Sequence, residues 1–169
     1  MSGWVCRQII LRDGRQPIFG FLVPGDIIAP DCERLLLGSM VALTAVVTTD
    51  LPVRSGNDVF QLAVEAAAEE RERFLNQQVL RLGGMNALCR AAHLLLELSE
   101  RLRRTGLSDG KTMPFPLKQE TFGSALGITA VHVNRVLRQL RESEAIDYAS
   151  RDCLRIDAEK RSQCVEMGQ

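Results

Sequence analysis

The chain is 169 residues long, 46% hydrophobic and 25% charged, with 21 basic residues balanced by 21 acidic ones. That composition excludes a disordered polymer, and the balance means that any attraction to nucleic acid must come from where charges sit, not from their total. No apolar run approaches the roughly 18–20 residues that span a bilayer, and the N-terminal MSGWVCRQIILRDG has neither the charge layout nor the cleavage site of a secretory signal.

Cys6, Cys32, Cys89, Cys153 and Cys164 are scattered and form no CxxC pair. Neither a zinc site nor a disulfide framework is indicated, so reduced structural thiols in a cytoplasm are expected.

Residues 1–55 read as β structure. WVCRQIIL (Trp4–Leu11) and QPIFGFLV (Gln16–Val23) are strand-like runs joined by Arg12, Asp13, Gly14 and Arg15, where the Asp-Gly pair suits a tight hairpin turn. A turn at Pro24–Asp26 follows, and VALTAVVTTDLPV supplies another strand-like segment. So few strands, with no helix to cover them, make an incomplete sheet with exposed edges.

From Asn57 the pattern changes to Ala, Glu, Leu and Arg, all good helix formers. Asn57 or Asp58 would cap this helix, and Gly83-Gly84 would stop it. Its apolar stripe (Leu62, Ala63, Ala66, Ala67, then Phe74, Leu75, Val79, Leu82) is interrupted by the charged block EERER. The pattern alone fits either a helix packed on its own sheet or one paired with its twin in a dimer. A second helix runs from Asn86 to about Arg104, with Leu88, Ala91, Ala92, Leu95, Leu98 and Leu102 on its apolar face. His93 has no partner four residues away and reads as a packing or hydrogen-bonding residue rather than a metal ligand. TGLSDGKTMPFP then reads as a linker.

The segment LKQETFGSALGITAVHVNRVLRQLRESEAI carries the chemistry. A first helix is expected over about Gln119–Leu126, broken by Gly127. Thr129 is placed to cap a second helix running to about Glu142. Gly123 allows two helices to cross closely, Gly127 tolerates left-handed φ, and Phe122, Leu126, Ile128, Val133, Val136 and Leu137 supply the inward positions. That is the pattern of a helix-turn-helix. With Val133, Val136, Leu137 and Leu140 inward, Val131, Asn134, Arg135 and Arg138 share the opposite face, with Ala130 and His132 at the N-terminus. From Ala125 to Arg141 there is no acidic residue. A helix entering the major groove needs that, because acidic side chains would oppose phosphates, while arginine pairs with guanine, asparagine with adenine, and Val131 meets a thymine methyl. AIDYASRDCLRID reads as two short strands with Arg151 at the tip, the wing of a winged helix-turn-helix. The C-terminal AEKRSQCVEMGQ is polar and expected to fray.

FLVPGDI, AHLLLELSERL and ALGITAVHVNRVLRQLRESEAI, in that order and spacing, resemble the Crp/Fnr family of bacterial transcription regulators. The resemblance covers nearly the whole chain and implies an α+β fold: a partial β-roll (a cyclic-nucleotide-binding-like jelly roll) over residues 1–55, a long dimerisation helix over 56–82, and a C-terminal winged helix-turn-helix over 83–169. It implies a homodimer through 56–82 that reads a near-palindromic operator in double-stranded DNA. Arg135 matches the family's principal base-reading arginine, with Ala130, Val131 and His132 beside it. Lys118, Thr129, Asn134, Arg138 and Arg151 complete the expected DNA-binding set. Lys118 stands where relatives commonly place a threonine cap, against the helix dipole unless it meets a phosphate.

A full β-roll begins before GWVCRQIIL, so a sensor lacking its first strands is expected. The family's phosphate cassette has a Gly-Glu pair and an Arg-Ser/Thr pair. IIAPDCERLLLGSMVALTAV offers only Arg34 in their place, with Asp31 and Glu33 beside it, so cyclic AMP is not an expected ligand. No cofactor or metal is expected, and Cys32 reads as a structural thiol. RNA polymerase would be a further partner of an activator. The alternative is an interaction protein, a truncated subunit that dimerises with a full-length relative and modulates it. No nucleophile–base pair, carboxylate cluster or phosphate loop supports an enzyme.

Overall fold

The computed structural model describes residues 2–28, 38–50 and 58–157, with the side chains of Asp58 and Val59 left out. The expectations placed on Asp31, Cys32, Glu33, Arg34, Asn57, Cys164 and the C-terminal tail lie outside the described residues. The chain forms two compact units, Met1–Gln78 and Val79–Gln169, so their boundary falls inside the long helix.

The first unit is built on an antiparallel sheet of β1 (Val5–Gln8), β2 (Ile18–Leu22) and β3 (Ser39–Ala42), in the order β2-β1-β3. β1 and β2 are joined by the hairpin turn expected from Asp13-Gly14. Gly14 donates to the Leu11 carbonyl, Leu11 donates to the Arg15 carbonyl, and Gly14 takes φ +84°. This is the bonding of a three-residue loop with a left-handed glycine. Asp13 fixes it by accepting from the backbone N–H and the guanidinium of Arg15. The core is Trp4, Cys6, Ile18, Phe21 and Val23, with Trp4 and Phe21 edge to face at 6.3 Å.

β3 is shorter than the strand-like run predicted. It ends at Ala42, because Thr44 Oγ1 takes the Trp4 amide hydrogen and diverts the chain from the ladder. Among the described residues, pairing resumes as an isolated bridge between Ser2 and Val47.

α1 (Asp58–Gly84) runs through Gly83 and Gly84 rather than stopping before them. α2 (Ala87–Arg104) follows at once, its N-cap Asn86 accepting from the Cys89 amide. The expected linker holds a further strand, β4 (Thr112–Pro114), followed by α3 (Gln119–Leu126), α4 (Ala130–Glu142), β5 (Ile146–Ser150) and β6 (Cys153–Ile156). β4 is a correction to the linker reading: its three residues pair antiparallel with β6, giving the order β4-β6-β5. Met113, opposite Leu154, is fully buried, and this tertiary burial overrides a turn-rich local composition. The core of the second unit is Leu94, Leu95, Leu98 and Leu102 of α2 with Phe122, Leu126, Val133, Val136 and Leu140. Phe115 meets Phe122 edge to face at 5.4 Å.

Candidate nucleic-acid interface

The helix-turn-helix is set by two glycines. Gly123 is buried, and a Cβ there would sit 2.7 Å from the Ile128 carbonyl oxygen and 3.1 Å from Val133 Cγ2. Only a glycine lets α3 approach the start of α4 so closely. Gly127 ends α3 at φ +67°, ψ +32°, its amide donating to the Gly123 carbonyl. Thr129 then caps α4, with Oγ1 accepting from the His132 amide. Phe122, Leu126, Val133, Val136, Leu137 and Leu140 point inward as the pattern requires, and Ile128 is half-buried.

This packing turns one face of α4 outward. Val131 is 77% exposed, unusual for a large apolar side chain, and Asn134, Arg135 and Arg138 are exposed beside it. Ala130 and His132 are half-buried at the helix N-terminus. Among the described residues, neither Asn134 nor Arg135 has a side-chain hydrogen bond or ion pair, so both present free donors to solvent. Arg138 differs: its Nε lies 3.7 Å from Glu142 Oε1, one helical turn away. Arg141 lies over the Tyr148 ring at 5.7 Å and braces the helix against β5.

Lys118 occupies the N-cap position of α3, exposed and without a side-chain capping bond. Arg151 is exposed in the β5–β6 turn, separated from α4 by the wing strands. The structure therefore brings Thr129 through Arg138 onto one helix and its cap, while Lys118 and Arg151 stand on the preceding helix and the wing.

Two features of the site were not foreseen. Glu142 closes the acid-free stretch with a carboxylate that holds Arg138. Glu144 takes φ +58°, the only non-glycine at positive φ among the described residues. It lets Glu144 and Ala145 donate to the Arg141 and Leu140 carbonyls and turn the chain into β5. No glycine marks that turn in the sequence. His93 is held by Arg81, whose Nη1 lies 3.1 Å from its Nδ1. Among the described residues no group of three His, Cys, Asp or Glu side chains is placed to hold a metal ion.

Residues 89–161 match the Crp-like helix-turn-helix domain family. No curated protein matches the chain. Solved structures do. FixK2 from Bradyrhizobium japonicum superposes with a TM-score of 0.71 at 23% identity, over 96% of this chain and 83% of that one. TTHB099 from Thermus thermophilus, a transcriptional regulator of the CRP family, gives 0.70 at 20% identity, over 98% and 85%. A mutant of CooA from Carboxydothermus hydrogenoformans gives 0.71 at 16% identity, over 96% and 75%. Residues 89–161 are thus a Crp-like helix-turn-helix domain, carried on the fold of the Crp/Fnr transcription regulators.

Proposed function

We propose that this protein is a sequence-specific DNA-binding transcription regulator that acts as a homodimer on a near-palindromic operator in the cytoplasm. The observation that carries the proposal is the outward face of α4, where Val131, Asn134 and Arg135 are exposed together, with no acidic neighbour in the first turn. Arg135 would pair with a guanine edge, Asn134 with an adenine edge, and Val131 with a thymine methyl. Lys118, Thr129, Arg138 and Arg151 would meet phosphates around them, and Ala130 and His132 would lie at the helix end that enters the groove first.

The dimer reading is supported by α1. Leu62 and Val79 are 62% and 71% exposed, and Leu75 and Leu82 are exposed on the same helix. Leu75, Val79 and Leu82 follow the four-then-three spacing of a helix–helix seam. Two copies joined there would present two α4 helices to half-sites about 34 Å apart, one turn of DNA. Lacking the family's phosphate cassette, the protein would take no cyclic AMP. RNA polymerase would be its partner at promoters it activates.

Selection from a pool of random duplexes across a salt series, with no added effector, tests this. An enriched two-fold symmetric motif is expected. Binding that is steeply salt-dependent and enriches no motif would overturn it, because only phosphate attraction would then remain.

A further inference from the structure

Arg90, on the first turn of α2, has all three guanidinium nitrogens committed to main-chain carbonyl oxygens from three different places. Nε donates to Met85 O at 2.8 Å, Nη2 to Leu82 O at 3.1 Å, and Nη1 to Leu126 O at 3.1 Å. Leu82 lies in the last turn of α1, Met85 in the α1–α2 junction, and Leu126 is the last residue of α3. Leu82 O and Leu126 O are helix-end carbonyls that the helices themselves leave without partners. The cation also sits where two helix dipoles end in partial negative charge.

We infer that Arg90 is a positioning residue that fixes the recognition helix relative to the end of α1. The inference rests on the DNA-reading proposal for its biological meaning, but its geometry is separate. α3 leads into α4 through Gly127 alone before Ile128 and Thr129, so whatever holds Leu126 holds the entry to the recognition helix. A Cβ on Gly127 would meet Leu82 Cδ2 at 3.3 Å and Arg90 Nη1 at 3.7 Å, so the turn lies directly against the clamp. One side chain thereby bonds the ends of both α1 and α3. The planar fork of arginine is what makes three divergent bonds possible, and lysine, a point charge on a flexible stem, cannot reproduce it. If α1 sets the separation of two copies, Arg90 carries that separation to the reading heads.

Arg90→Ala and Arg90→Lys test the inference, with Leu98→Val as a control that loosens the core of the same helix without touching the clamp. Spin labels carried by non-natural residues at Gly83 and Gln139, both exposed and outside the proposed dimer seam and DNA-reading set, report the distance between the end of α1 and α4. Both Arg90 variants are expected to broaden or shift that distance distribution, and Leu98→Val to leave it as in the parent. An unchanged distribution in Arg90→Ala overturns the inference whether or not the protein binds DNA.

The second readout uses the operator selected for the parent protein, with its half-sites moved one base pair closer or further apart. Preference for the selected spacing should fall about three- to tenfold in the Arg90 variants, the scale of coupling changes carried through packed networks. Equal weakening at every spacing, as a merely stabilising residue would give, overturns the positioning role. A parent protein that selects no operator would count against the proposed function, while the distance measurement would still decide the role of Arg90.

Discussion

Arg81 at the end of α1 and Glu97 in the middle of α2 form a buried ion pair, with Nη1 donating to Oε2 at 2.6 Å and side chains only 3% and 7% exposed. The other carboxylate oxygen of Glu97 accepts from Arg101 at 3.3 Å, so one carboxylate serves two buried guanidinium groups. Taking such charges out of water is costly, and the attraction between them mainly offsets that cost. The consequence is asymmetric: the network adds little as a whole but is expensive to break in part. Glu97→Ala should therefore destabilise the protein by about 3–5 kcal/mol, the range for stranding a buried charge. Glu97→Gln keeps an acceptor and should cost less. Urea unfolding checks both, and a loss below about 1 kcal/mol for Glu97→Ala would show that water replaces the carboxylate freely.

His93 sits against the same network and gives it a pH dependence. Burial lowers its pKa from the ordinary 6.5, the nearby Arg81 charge lowers it further, and Glu97 partly opposes them. The hydrogen bond from Arg81 also needs Nδ1 as an acceptor, which only the neutral ring provides. The folded protein therefore binds fewer protons than the unfolded chain just below pH 6.5, and stability rises with pH there. It should be complete above about pH 6.5 and fall as pH drops through the lowered value. His93→Gln should flatten that part of the profile. Asp13, Glu100 and Asp109 have carboxyl pKa values lowered by hydrogen bonds from Arg15, Arg103 and Lys111 respectively, so their losses come at more acidic pH. A parent profile already flat between about pH 5 and 7 would refute the assignment to His93.

The helix-turn-helix was the most legible part of the chain because its requirements are local. A cap at Thr129, a left-handed residue at Gly127 and a missing side chain at Gly123 are each set by neighbours within a few residues, and each is where the pattern placed it. The Asp13-Gly14 turn was legible for the same reason. What escaped depends on distant partners. β4 is a strand only because Leu154 lies opposite Met113, and β3 ends early because Thr44 meets Trp4. Arg81 and Glu97 are sixteen residues apart, and Arg90 and Leu126 thirty-six, distances no periodicity reaches. Glu144 escaped for a different reason: it holds a left-handed backbone that its own residue type disfavours.

Glycine substitutions rank the local requirements. Gly123→Ala places a Cβ 2.7 Å from a backbone oxygen, so the two helices must move apart, at a cost of about 1–3 kcal/mol. Gly127→Ala meets a flexible leucine side chain instead, and its cost of about 1 kcal/mol comes from left-handed φ. Glu144→Gly relieves the same kind of strain and should raise stability by up to about 1 kcal/mol, less what its side chain contributes. Thermal unfolding of the three variants should place Gly123→Ala lowest and Glu144→Gly above the parent. The reverse order for the two alanine variants would mean that the α3–α4 crossing yields more easily than the turn.

Arg135 and Arg138 lie on one face of α4 yet should differ in what they contribute to DNA binding. Arg135 has no intramolecular partner among the described residues, so its five donors are available without cost. Arg135→Ala should weaken binding to the selected operator by about 1–3 kcal/mol and relax the sequence preference at one base pair of each half-site. Arg138 must leave Glu142 before it can meet a phosphate, although the pair is exposed and worth little. Its loss should weaken binding to all sequences alike and reduce the slope of log affinity against log salt by about one for each protomer, as for a single phosphate contact. Glu142→Gln, which frees Arg138 and removes the negative charge beside it, should strengthen binding at low salt and not change the selected motif. Titrations of the variants against the operator and a scrambled duplex at several salt concentrations separate these effects. Uniform weakening by Arg135→Ala, with preference intact, would reassign Arg135 from reading bases to holding phosphate.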